Sequence, residues 1–126
     1  MAAGRYNFVV EQGSTLNFEL RYKDSNGNPV SLVGYGARMQ IRPSIDSSTV
    51  ILNLSSSLQS DGTGLNMSGS SGTKDPISGS IGVFISAATS SLFSFDEAVY
   101  DLEIFSGSIV TRLIQGSVKL SKEVTR

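Results

Sequence analysis

The sequence predicts an all-β chain folded as a single antiparallel β-sandwich of immunoglobulin-like type, with about seven strands and at most one short helical turn. Three observations predict it. Apolar and polar residues alternate with a period of two in one stretch after another, as in strands with one buried and one wet face. Gly, Asn, Asp and Pro punctuate these stretches at short intervals, as turns require. Only SAATSSLF, from Ser86, offers a helix start, and it is too short to carry a fold. A closed barrel is the alternative architecture. At 126 residues the chain fits one domain, 1–126, long enough to bury a single core.

The elements follow in order. Phe8 to Val10 is a short apolar run ending at Gly13, read as an edge strand. In STLNFELRY, Leu16, Phe18, Leu20 and Tyr22 point one way and Asn17, Glu19 and Arg21 the other. Asn26-Gly27 supplies the positive φ of a tight turn, and Pro29 keeps a central strand from starting there. GYGARMQIR resumes the alternation through Ala37, Met39 and Ile41, and Pro43 ends it. STVILNLS reads as a further strand on its β-branched Thr49, Val50 and Ile51.

From Ser55 to Thr73, 11 of 19 residues are Ser or Gly. Such a span buries little and reads as a surface loop, with a weak strand at Leu65 to Met67. SGSIGVFIS then restores a strand with Ile81, Val83 and Ile85 on one face. The chain closes on a hairpin. Tyr100, Leu102 and Ile104 face inward, the turn is Ser106-Gly107-Ser108, and the return strand runs from Ile109 to Leu120.

Composition narrows function by exclusion. Ten basic against eleven acidic residues, a net charge of −1, lack the basic footprint of a nucleic-acid binder. Cys and His are both absent, which removes disulfides, thiolate nucleophiles, Cys/His zinc sites and His-based triads. No cofactor is expected. No apolar run approaches the length of a bilayer span, and MAAGRYNF lacks the apolar stretch of a signal peptide. The expectation is a protein made in a cytoplasm, with no membrane contact.

The constellations that remain have plain structural readings. Asp24, Asn26 and Asn28 have the spacing of a calcium loop, but the sixth position is Pro29 and no acid follows nearby; a β-turn is the better reading. Asp101 and Glu103 share the polar face of an alternating strand, as do Arg38, Gln40 and Arg42, which argues for solvated faces. The GSSG at Gly69 to Gly72 has no strand-to-helix junction with a Lys around it, as a phosphate cradle would. The aromatics, Phe18, Tyr22, Tyr35, Phe84 and Tyr100 among them, fall mostly on apolar faces. Arg112 is the odd residue, on a face that Val110, Ile114, Val118 and Leu120 make apolar. A bulge at Gly116 would shift that register. Arg112 would then pair with Asp101 or Glu103 across the hairpin or blunt an edge, or else dock to a partner.

Two blocks carry a resemblance. YNFVVEQGSTLNFELRYKDSNGNPVSLVGYGARMQIR, Tyr6 to Arg42, and AVYDLEIFSGSIVTRLIQGSVKLSKEVTR, Ala98 to Arg126, cover 66 of the 126 residues. They resemble a family of small β-sandwich proteins encoded among the virion structural genes of tailed bacteriophages and prophages. The chain departs from that pattern at Tyr22, where Trp is common, and in its Ser/Gly-rich middle. The resemblance implies a non-enzymatic virion component, in the tail baseplate or at fibre attachment. It would be present in several symmetric copies and partnered by other virion structural proteins. A head decoration or head–tail connector protein is the alternative. A host-surface carbohydrate-binding module is a further one, with Tyr35, Phe93 and Phe95 as its loop-placed rings. Partner contact is expected through edge strands, the Ser/Gly-rich loop, Arg112 and the tail Ser121, Lys122, Glu123, Val124, Thr125 and Arg126.

Overall fold

Strands form where the alternation runs, and they stop where Pro, Gly or the end of a partner strand interrupts pairing. The computed structural model describes residues 4–69, 75 and 78–124. Residues 70–73, and with them most of the Gly69–Gly72 stretch, lie outside the described residues, as do Thr125 and Arg126 of the tail. In chain order the described elements are β1 (Gly4–Arg5), β2 (Phe8–Glu11), β3 (Leu16–Arg21), β4 (Gly36–Arg42), β5 (Leu52–Ser55), β6 (Gly64–Asn66), β7 (Ser80–Ile85), α1 (Ala87–Ser90), β8 (Glu97–Ser106) and β9 (Ile109–Ser121).

They form two sheets. The larger has the order β1-β9-β8-β4-β5, with β2 also on β9; the smaller has the order β3-β7-β6. Neither sheet closes on itself, so there is no barrel. Their inner faces share one core. Met39 and Ile41 of β4, Tyr100, Leu102 and Ile104 of β8 and Val118 of β9 meet Ile81, Val83 and Ile85 of β7. Leu16, Phe18 and Leu20 of β3 pack against that core from its margin. Phe84 instead stands half-buried on the outer side of β7 beside Gly62.

Pairing is antiparallel except at the N-terminus, which corrects the purely antiparallel expectation. β1 and β2 both run parallel to β9. Parallel neighbours need a long connection, and here the rest of the chain supplies it. Between β1 and β2 the chain keeps the same register along β9. Tyr6 lays its carbonyl over Gly116, where it accepts the Tyr100 hydroxyl at 2.6 Å. The Asn7 side chain takes up the Ser117 N–H at 2.9 Å, in place of a ladder bond.

Other differences have equally local causes. Thr49 and Val50 are not in a strand, because β4 ends at Arg42 and leaves them no partner. Ile51 still donates to the Ile41 carbonyl at 2.8 Å, and Arg42 Nη1 donates to the Ser47 carbonyl at 2.6 Å, fixing the connection. The Ser/Gly-rich span is more than a surface loop: Thr63 and Leu65 are fully buried and β6 edges the smaller sheet. Its small residues permit this. At Gly64 (φ +150) a Cβ would stand 2.8 Å from the Ser55 carbonyl oxygen. The 24–28 turn forms around Asp24, whose carboxylate accepts the N–H groups of Asn26 and Asn28 at 2.9 and 3.0 Å. Its side chain therefore serves a backbone turn.

Ser86 caps α1 as its sequence predicts, accepting the Thr89 N–H at 3.1 Å. The helix ends at Ser90. A polar brace ties this cap to the preceding loop. The Ser86 hydroxyl donates to Asp61 Oδ2 at 2.6 Å, and the Thr63 N–H donates to Asp61 Oδ1 at 2.9 Å. These bonds, from Ser86 first and Thr63 next, hold the Asp61 carboxyl below its ordinary value of 3.8. A carboxyl depressed in the folded state stabilises it above the ordinary value, and that stabilisation is lost as pH falls through the folded value. Asp61→Asn is therefore expected to flatten the fall of the urea midpoint below about pH 4 relative to wild type. Parallel midpoint curves for the two proteins between pH 2 and 5 would show that the brace contributes nothing.

Candidate protein-docking surface

The inner faces of the two sheets are spent on the core, which leaves their outer faces and edges; the charged side chains of the larger sheet gather on its outer face. Alternation sets that face. With Tyr100, Leu102 and Ile104 inward, Val99, Asp101, Glu103 and Phe105 of β8 turn outward. Arg38, Gln40 and Arg42 of β4 do the same.

Arg112 joins them through a bulge, but not at Gly116. Leu102 opposes Ile114 and Glu103 opposes Arg112, so Leu113 is the extra residue. Gly116 pairs regularly with Tyr100 and is glycine because Tyr6 crosses it. The shift turns Arg112 to the polar face, where its Nε lies 3.5 Å from Asp101 Oδ2 and Nη1 lies 3.4 Å from Gln115 Oε1. Arg38 Nε meets Glu103 Oε1 at 2.9 Å, and its guanidinium sits 5.1 Å from the centroid of the Phe105 ring. Exposed pairs of this kind contribute about 0–1 kcal/mol each, so their effect is to orient the side chains.

A trough of about 430 Å³ opens on this face between Arg5, Arg42 and Arg112, floored by Gln40, Asp101 and Gln115. Arg42 is held by neutral acceptors: Nη2 donates to Gln40 Oε1 at 2.7 Å and Nη1 to the Ser47 carbonyl. Arg5 makes no ion pair or side-chain hydrogen bond among the described residues.

A second feature is an edge. β1 reaches only to Ile114, so no described strand covers β9 from Ile109 to Leu113 on the side away from β8. Ile109 and Val110 are exposed there, at 66% and 46%.

The expected tail residues are placed differently from one another. Ser121 ends β9 opposite Glu11, and its carbonyl accepts the Gln12 N–H at 2.9 Å. Lys122 Nζ meets Asp96 Oδ1 at 2.9 Å, and the Glu123 N–H donates to Gln12 Oε1 at 3.1 Å. The Gln12 Nε2 group in turn donates to the Phe93 carbonyl at 2.7 Å. The tail is thus stitched to the body as far as Glu123, and Val124 stands free at 92% exposure. Arg112 lies on the outer sheet face, away from this stitching. The sequence reading missed Arg5 and the open β9 edge. Arg42 was seen, but only as part of an ordinary solvated face.

Tyr35, Phe93 and Phe95 do not assemble into one ring platform. Phe93 and Phe95 pair at 5.4 Å beside Pro43, beyond one end of β4, and Tyr35 precedes its other end. The length of that strand, about 20 Å, separates them. Among the described residues no group of three or more acidic side chains gathers as a metal site would need, and no helix is long and apolar enough to cross a membrane. No protein-family model matches the chain, and no curated protein matches it.

Proposed function

We propose that the chain is a non-enzymatic structural adaptor of a tailed-phage virion, built as an immunoglobulin-like β-sandwich and seated in the tail baseplate or where fibres attach. One observation carries the adaptor reading: among the described residues no strand covers the β9 edge from Ile109 to Leu113, which bears two exposed apolar side chains. Unpaired N–H and C=O groups beside apolar residues invite edge-to-edge pairing. An assembly protein can use such an edge by accepting a neighbour's strand. The placement in a phage tail is supported by the resemblance of the Tyr6–Arg42 and Ala98–Arg126 blocks to virion structural proteins. Repetition in a symmetric particle would strengthen modest contacts of this kind.

The test is location. Gold-labelled antibody against the protein, viewed on intact particles by negative-stain microscopy, is expected to mark the distal end of the tail. Label on the capsid or neck would reassign the protein to head decoration or connection. Absence of the chain from purified particles by mass spectrometry would overturn the virion reading.

A further inference from the structure

The trough on the outer face of the larger sheet has a charge arrangement that selects a ligand. Five basic side chains stand on that face, Arg5, Arg38, Arg42, Arg112 and Lys119, against four acidic ones, Glu11, Glu97, Asp101 and Glu103. The chain as a whole has net charge −1, so the rest of the molecule is acidic and this face is its positive side. Two of the acids are neutralised locally, Asp101 by Arg112 and Glu103 by Arg38. Arg5 and Arg42 remain without a carboxylate among the described residues.

Their separation follows from the register. Arg5 opposes Gln115, Gln115 opposes Asp101 and Asp101 opposes Gln40, one row across β1, β9, β8 and β4. Arg42 stands two residues along from Gln40 on the same face. Three strand spacings of about 4.8 Å, with the two-residue offset of about 7 Å along β4, place Arg5 and Arg42 about 16 Å apart. An extended chain covers that distance in about four to five residues. Between the two ends lie the amides of Gln40 and Gln115 and the Arg112–Asp101 pair, groups that suit a peptide backbone.

We propose that this trough binds an extended acidic segment of a neighbouring protein, with two carboxylates about four residues apart that meet Arg5 and Arg42. Guanidinium groups recognise carboxylates through two parallel hydrogen bonds, which favours this ligand over a neutral or basic strand. Arg42 is already oriented by Gln40 and Ser47, so less freedom is lost on binding. The inference rests on the adaptor reading and supplies the chemistry of one partner.

The experiment is an amide NMR titration of the ¹⁵N-labelled full chain with synthetic Ser/Gly peptides. One peptide carries two Glu residues four apart, one carries them adjacent, and one has both replaced by Gln. The spaced-Glu peptide is expected to shift amides of Arg5, Gln40, Arg42 and Gln115, and to bind about threefold or more tightly than either control. Raising the salt to about 0.5 M should weaken it, because the contacts are exposed charges. Arg5→Gln should lower its affinity about threefold or more, and Lys119→Gln, on the same face outside the trough, should leave it unchanged. Arg42→Gln is a second variant, compared only if its spectrum stays dispersed. Equal binding of the Gln peptide, no shifts at millimolar peptide, or shifts confined to Ile109–Leu113 would overturn the proposal. The last result would leave the edge reading standing, and particle labelling tests the adaptor reading separately.

Discussion

Gly116→Ala is expected to unseat the N-terminal strands and to destabilise the protein by about 3 kcal/mol, although it adds one methyl group. The Cβ would be placed against the Tyr6 carbonyl oxygen, with Asn7 Oδ1 at 2.8 Å. The carbonyl is backbone and cannot swing aside as a side-chain tip would. Overpacking of this kind costs typically about 1–3 kcal/mol. Displacing Tyr6 also breaks its bond from the Tyr100 hydroxyl, a further ~1 kcal/mol for a group buried at that site. The Tyr100 phenol is already held far above its ordinary pKa, by burial first and by neighbouring Tyr6 second. Urea unfolding would measure the loss, and faster hydrogen exchange at Tyr6 and Ser117 would locate it. Gly4→Ala is the control. Among the described residues a Cβ there meets only the Leu113 carbonyl oxygen, at 3.6 Å, and stability should hold within about 0.5 kcal/mol. Equal losses for the two variants would mean that the close crossing at Gly116 is not what requires glycine.

Leu102→Ala should cost about 2–5 kcal/mol, a large share of the roughly 5–15 kcal/mol that holds such a domain together. Leu102 is fully buried on the middle strand of the larger sheet, opposite Met39 on one side and Ile114 on the other. Sheet strands bound it on both sides and the smaller sheet covers it, so the cavity has little room to collapse. The expected result in urea is a lower midpoint with an unchanged slope. Leu92→Ala, at a residue 82% exposed, should barely move it. A loss at Leu102 below about 1 kcal/mol would mean that the core repacks freely, against the close packing described above.

Much of the strand layout was legible because alternation is written in consecutive residues. The inward sets Leu16-Phe18-Leu20, Ala37-Met39-Ile41 and Tyr100-Leu102-Ile104 all point to the core, and the Ser86 cap forms. Thr49 and Val50 show the limit: their β-branched side chains favour a strand, but no partner remains to pair with them. The Ser/Gly-rich span misled in the other direction. Its small residues suggested a surface loop, yet small size is what lets Gly64 and Thr63 approach the core closely. Arg112 was legible as an anomaly and as a partner of Asp101, while the bulge that turns it outward sits at Leu113 and not at Gly116. The trough could not be read at all, since its lining comes from strands at opposite ends of the chain.

The sequence by itself determined the alternating stretches of β3, β4, β7 and β8 and which of their side chains face inward, which turn takes Gly27 at positive φ and where the one helical turn is capped. These are properties of a few neighbouring residues, set by backbone sterics and by the two-residue period of the pleat. Only the tertiary structure decided which strand lies beside which. The parallel docking of β1 and β2 on β9 joins Arg5 to Gln115, and the division into a larger and a smaller sheet joins Leu16 to Ile85. Such pairings depend on how well whole faces fit when chain segments far apart in sequence are brought together. No local pattern encodes that fit, and both proposed docking features, the open edge and the arginine trough, are made by it.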